Sequence, residues 1–181
     1  MTVTIMQGSR PFTVADLETM PDDGRRYELI DGVLIVSPAP VPHHQIAVTN
    51  LLIALHEQAP DQLRVLPAPL DVVLADDTSV EPDVLVARKS DFGPKNLPGA
   101  PLLAVEVLSP SSRRIDRMLK FSRYAEAGIA SYWIVDPDEP RLLAFELVGS
   151  DYQEVADVRG NEEWTAQLPF PVTIRPADLV D

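Results

Sequence analysis

The stretch "LLAVEVLSPSSRRIDRMLK", Leu102 to Lys120, decides how this chain is read. Its first seven residues have the make-up of a buried strand, yet Glu106 stands among Leu, Ala and Val. "SPSS" then interrupts the strand. Ser111 or Ser112 can cap a helix that continues through "RRIDRMLKFSRYAEA" and stops before Gly128. The acidic residue needs its own explanation, because burying an ionised carboxylate without a partner costs several kcal/mol. Glu106 therefore has a partner: a metal ion, a cation of the protein, or a neutralising proton.

Working outward, the remaining elements follow from turn and period signals. "RRYELIDGVLIVS" reads as two strands around a tight Asp31-Gly32 turn. Thr13 can cap a short helix in "FTVADLETM". "HHQIAVTNLLIALHEQA" places Ile46, Leu51, Leu52 and Leu55 at helical spacing. "LRVLPAPLDVVLADDTSVEPDVLVARKS" holds three short β-rich runs broken by Pro and Asp. "SYWIVDPDEPRLLAFELV" gives two strands joined by a proline turn, and the rest through "FPVTIRPADL" reads as edge strands and a closing segment. Many strands with helices early and in the middle indicate an α+β or mixed α/β fold. The 181 residues are expected to form a single domain with a substantial core.

Composition narrows the function. No apolar run approaches the ~20 residues of a membrane span. The N-terminus, "MTVTIMQGSRPFTV", lacks a basic region followed by an apolar core, so a cytoplasmic location is the expectation. The absence of cysteine excludes disulfides, thiolate catalysis and zinc–sulfur sites. A net charge of −13 opposes non-specific nucleic-acid binding. A local basic cluster exists nonetheless: Arg113, Arg114, Arg117, Lys120 and Arg123.

Four acidic residues stand where apolar ones are expected: Glu28 in "YELI", Asp71 in "PLDVVL", Asp83 in "EPDVLVA" and Glu106. If the runs holding Asp83 and Glu106 pair in matching register, both carboxylates face one cleft. Two close carboxylates need a shared proton or a cation between them. Mg²⁺ and Mn²⁺ favour such oxygen ligands. Lys120, two helical turns after the "SPSS" break, can reach back over the strand of Glu106. The plain alternatives are an Asp116–Lys120 pair worth ~0.3 kcal/mol, a turn that satisfies Asp83, and a buried pair between Glu106 and a nearby arginine. His44, at a helix start, reads either as a phosphate or proton-transfer group or as a solvent-facing residue. Tyr124 and Trp133 read as core or cleft-wall residues.

"EPDVLVA", "LLAVEVLSPSS" and "DRMLKFSRYAEAGIASYWIVDP" together resemble the Uma-type family of bacterial endonucleases, within the PD-(D/E)XK restriction-endonuclease-like superfamily. "RRYELIDGVLIVSPAP" and "HHQIAVTNLLIALHEQ" resemble its N-terminal part, so the likeness runs from Phe12 to Leu179. The resemblance implies a restriction-endonuclease-like core, a central mixed β-sheet flanked by helices. It implies Mg²⁺- or Mn²⁺-dependent hydrolysis of phosphodiester bonds in nucleic acid, with DNA as the expected substrate and a homodimer as the expected assembly. Asp83 becomes the "PD" aspartate and Glu106 the second motif's acid, both as metal ligands, with the Val107 carbonyl and Glu28 as further ligands. The superfamily's lysine, expected two positions after Glu106, is replaced by Leu108, and Lys120 takes its role. Arg113, Arg114 and Arg117 would contact flanking phosphates. Two alternatives remain open: a degenerate nuclease fold that binds nucleic acid or protein without cutting, and an assembly module in which Glu106 pairs with an arginine.

Overall fold

In the computed structural model, residues 3–6, 8–109 and 119–181 are described. Two six-stranded sheets face each other, and a long helix covers the outer face of one of them.

The first sheet starts from the predicted hairpin. β2 (Arg26–Ile30) and β3 (Val33–Ser37) pair antiparallel, and β1 (Thr4–Met6) adds to β3. Both turn residues have positive φ, 53° at Asp31 and 71° at Gly32, as a two-residue primed turn requires. β5 (Val72–Ala75), β6 (Thr78–Val80) and β8 (Leu97–Pro98) complete the order β1-β3-β2-β6-β5-β8.

The second sheet has the order β12-β11-β10-β9-β7-β4. Its strands are β4 (Leu63–Pro67), β7 (Val84–Arg88), β9 (Leu103–Val107), β10 (Ser131–Asp136), β11 (Arg141–Val148) and β12 (Asp151–Arg159). β9 and β10 run parallel and the other neighbours antiparallel, so the sheet is mixed. β13 (Trp164–Ala166) and β14 (Val172–Ile174) form a small separate hairpin.

Alternation along the central strands sorts the core into two layers. Val84, Val86, Val105, Val107, Trp133 and Val135 pack outward. They meet Ala47, Leu51 and Leu55 of α2 (Pro42–Gln58) and Phe170 and Leu179 of the C-terminal segment. Leu85, Ala87, Ala104, Tyr132 and Ile134 point the other way, onto Ile30, Val72 and Val80 of the first sheet. Trp133 is fully buried and meets Trp164 edge-on at 5.4 Å, a core role as expected.

Most predicted elements are present. α1 (Val14–Leu17) begins after Thr13, whose N–H donates to the Asp16 carboxylate at 2.8 Å. α3 (Phe121–Glu126) ends before Gly128, which has φ 80°. The expected caps Ser111 and Ser112 lie outside the described residues, as do Arg113, Arg114, Asp116 and Arg117. One expectation changes: the segment from Leu63 to Arg88 forms four strands instead of three. β5 and β6 are joined by Asp76-Asp77, a turn without glycine. Its carbonyls are satisfied by the N–H groups of Val14 and Gly32, both at 2.9 Å, so tertiary contacts hold the turn.

Gly32 tests how tightly this region is closed. A Cβ built there would lie 2.6 Å from the Pro11 Cβ and 3.1 Å from its Cα, at a left-handed φ. Gly32→Ala should therefore cost roughly 2–3 kcal/mol, read as a lower urea midpoint with an unchanged slope.

Candidate active site

The matching register exists. β7 and β9 pair antiparallel with Val84 opposite Val105, which puts Asp83 opposite Glu106 one step further along. Directly opposed side chains share a face, with Cβ atoms about 5 Å apart. Asp83 follows the parity of Leu85, and Glu106 that of Ala104. Both therefore point between the two sheets, where apolar packing gives way to a buried polar cluster.

Lys120 closes one half of the cluster. Its ammonium lies 3.0 Å from each Glu106 carboxylate oxygen and 2.8 Å from Glu28 Oε1. Lys120 and Glu106 are each 1% exposed, and Glu28 3%. Glu28 comes from β2, so this lysine bridges the two sheets. The Glu81 N–H also donates to Glu28 Oε1, at 2.8 Å. The Tyr124 hydroxyl donates to Glu106 Oε1 at 2.6 Å. Burial first, and the charge of Glu106 next, push the Tyr124 phenol well above its ordinary range, so it remains a donor. Tyr124 is thus both core and site.

Asp83 anchors the other half. Arg26 donates twice to its Oδ1, at 3.0 and 2.9 Å. His44 Nε2 lies 3.2 Å from Oδ2, and the Val107 N–H donates to Oδ2 at 2.8 Å. Four donors fill the roughly four lone-pair positions of a carboxylate. Burial alone would raise the Asp83 carboxyl. The His44 hydrogen bond and the charges of Arg26, His44 and Lys120 outweigh it and hold the group well below the usual carboxylate range. Burial likewise disfavours the His44 imidazolium, but the hydrogen bond and charge of Asp83 prevail and raise its pKa. His44 is 6% exposed, so it is no solvent-facing helix residue. The start of α2 is fastened beside it, where His43 Nε2 lies 2.8 Å from the Pro137 carbonyl.

Glu81 is the least satisfied member. It is 9% exposed. Its Oε2 lies 3.5 Å from Arg26 Nε but has no hydrogen bond. Burial is the main reason its carboxyl is pushed up to about 7, with Arg26 opposing and Glu28 and Asp71 reinforcing. A cleft of about 350 Å³ opens here, with Arg26, Glu81 and Asp83 in its wall.

The structure thus gathers Glu28, His44, Asp83, Glu106 and Lys120. Val107 joins them through its N–H. Arg113 and Arg117 lie outside the described residues. Asp71, exposed just before β5, makes no hydrogen bond to the cluster and acts on it only through its charge, which helps raise Glu81. Arg123 is committed elsewhere, pairing with Asp31 at 2.7 Å and with Glu126. Two site residues lay beyond the sequence reading. Arg26 was accessible in principle, since strand alternation puts it on the same face as Glu28. Glu81 was hidden by its position outside any strand, two residues before Asp83.

Residues 14–178 match the Uma2 family, described as "Putative restriction endonuclease". Five chains of known structure match as well. One is the crystal structure of a "putative nuclease belonging to DUF820" from Anabaena variabilis, with a TM-score of 0.72 and 21% identity, covering 94% of this chain and 98% of that one. At that identity the likeness is one of fold, and the fold is the restriction-endonuclease-like one. No curated protein matches the chain. Among the described residues no helix is long and apolar enough to cross a membrane.

The charge pattern dictates a pH profile for the metal-free protein. His44, raised from 6.5, contributes stability below that value and loses it as pH climbs through its folded pKa. Glu81, raised from 4.5 to about 7, also binds its proton more tightly when folded, so stability falls across that interval. Asp83, lowered from 3.8, contributes above that value and is lost in acid. Stability in chelator should peak near pH 4–5 and decline towards pH 8. Glu81→Gln should flatten the decline and be the more stable protein at pH 8, by on the order of 2 kcal/mol. Urea unfolding across pH 4–9 checks both.

A second expectation concerns Lys120. Lys120→Met should cost about 3–5 kcal/mol, because two buried carboxylates lose a shared cation. Adding Glu106→Gln should recover part of the loss, a coupling that a double-mutant cycle measures.

Proposed function

The chain belongs to the Uma2 family, and on that premise we propose that it is a Mg²⁺- or Mn²⁺-dependent endonuclease acting on DNA. The family implies a nucleic-acid substrate. The observation that carries the finer reading is Asp83, just before β7, accepting the N–H of Val107 beside Glu106, with the Lys120 ammonium on Glu106.

The donor chemistry fits a hard divalent cation, since the side-chain donors between the sheets are mostly carboxylate oxygens and none is sulfur. Among the described residues, however, no three acidic or histidine side chains are already gathered as a metal cage. Arg26 and Lys120 hold the carboxylates. Asp83 and Glu106 are the proposed ligands, with the Val107 carbonyl and Glu28 as supplementary ones. When bound, the cation would polarise the phosphate and acidify a water.

The chain's own groups have distinct tasks in this reading. The Val107 N–H and His44 fix the rotamer of Asp83. The Tyr124 hydroxyl fixes Glu106. In this reading Lys120 orients the attacking water or offsets negative charge developing on phosphorus. Arg26, on the cleft wall, offers a planar donor fork for a phosphate. Arg113 and Arg117 grip flanking phosphates, and a homodimer places one such site on each strand.

The filled acceptor positions of Asp83 favour a second reading, a nuclease fold that holds nucleic acid without cutting it. One assay separates the two. Plasmid cleavage by the wild type should require Mg²⁺ or Mn²⁺ and fall at least about a hundredfold in Asp83→Ala and Glu106→Ala. Cleavage at the wild-type level in Glu106→Ala sinks the enzyme reading. Metal-independent DNA binding, unchanged in Asp83→Ala and without cleavage, establishes the second.

A further inference from the structure

Four carboxylates belong to the cluster between the sheets, and their oxygens are not equally occupied. Asp83 accepts four hydrogen bonds. Glu106 accepts from Lys120 and Tyr124. Glu28 Oε1 accepts from the Glu81 N–H and is held by Lys120. Glu81 Oε2 is the exception: it is buried with no hydrogen bond, in a residue 9% exposed.

A buried acceptor left unmade costs on the order of 1–3 kcal/mol, more when it is charged. Arg26 does not relieve it. The guanidinium is turned so that both terminal nitrogens serve Asp83 Oδ1, leaving only Nε near Glu81, at 3.5 Å. Glu81 nevertheless shares the cleft wall with Asp83 and Arg26. An entering cation finds Asp83 saturated and must exchange it away from Arg26. At Glu81 it finds an oxygen that accepts no hydrogen bond and is held by the 3.5 Å ion pair with Arg26.

We propose that Glu81 is a further ligand of the divalent cation, the carboxylate that receives it first and holds it beside Asp83. The inference rests on the metal-dependent reading above and names a ligand that the motif pattern does not supply. It also explains why an unsatisfied carboxylate persists where glutamine would serve the fold.

Calorimetric titration of Mn²⁺ into the wild type, Glu81→Gln and Glu81→Asp tests it without any substrate. Glu81→Gln keeps the shape, and urea unfolding in chelator should show it folded. The expected result is wild-type binding, a loss of at least tenfold in affinity in Glu81→Gln, and partial retention in Glu81→Asp, which keeps the charge on a shorter arm. Wild-type affinity in folded Glu81→Gln overturns the inference and leaves the metal reading standing. Equal loss in both variants also overturns it, since restored charge should recover binding. Absence of Mn²⁺ binding in the wild type removes the metal reading and this inference together.

Discussion

Lys120 is the constraint on which the rest depends. Its ammonium sits between Glu106 of the second sheet and Glu28 of the first, with contacts of 2.8–3.0 Å and 1% exposure. Elsewhere the two sheets meet through Ile30, Val80, Leu85 and Ala104, whose packing tolerates small shifts. Ion pairs do not. Desolvating three charges is repaid only if geometry is good and the remaining lone pairs are filled. The Glu81 N–H and the Tyr124 hydroxyl do that filling. The spacing of the sheets at this end is therefore set by a salt bridge, and the cleft beside it inherits that spacing. Stability alone would be served as well by apolar residues of similar volume. Keeping the charges at such cost points to chemistry.

The two halves of the cluster are built differently. Glu106 and Glu28 share one ammonium, a compact point charge that can move among acceptors. Asp83 is held by a planar guanidinium, an imidazole and a backbone N–H, an arrangement that fixes both of its oxygens. Arg26 keeps its charge throughout: burial opposes it, but Asp83, Glu28 and Glu106 together raise its pKa further. Each half draws on different layers, Arg26 and Glu28 from β2, His44 from α2, Asp83 and Glu106 from the second sheet. No single element could carry the site.

Much of this was legible in the sequence because two-residue periodicity and register are rigid rules. The Asp31-Gly32 turn follows from turn chemistry, and the nearness of Asp83 and Glu106 follows from strand register once β7 and β9 are paired. What escaped was tertiary. The Asp76-Asp77 turn has no glycine, and partners distant in sequence, Val14 and Gly32, satisfy its carbonyls. The solvent-facing reading of His44 stayed open because nothing local shows that α2 begins against Asp83. Asp71 looked inward because its neighbours are apolar, yet it precedes β5 and is exposed. Arg26 was overlooked because a basic residue at a strand start is ordinarily a surface residue. Only the packing of β2 against the second sheet makes it the partner of Asp83.

The net charge of −13 sets the terms on which such a protein meets a polyanion. Its long-range field opposes approach, so counterion release over a broad basic face cannot supply the affinity. Attraction has to be local and short-ranged, within the roughly 8–10 Å that salt leaves unscreened. The cluster suits that limit. Arg26 and Lys120 are spent on carboxylates and present little net positive charge to a phosphate. Any cation accepted by the acidic residues changes that balance at one point, by two charges and by what it frees of Arg26. Under the proposed metal-dependent reading, phosphate binding would be confined to the place where the carboxylates are.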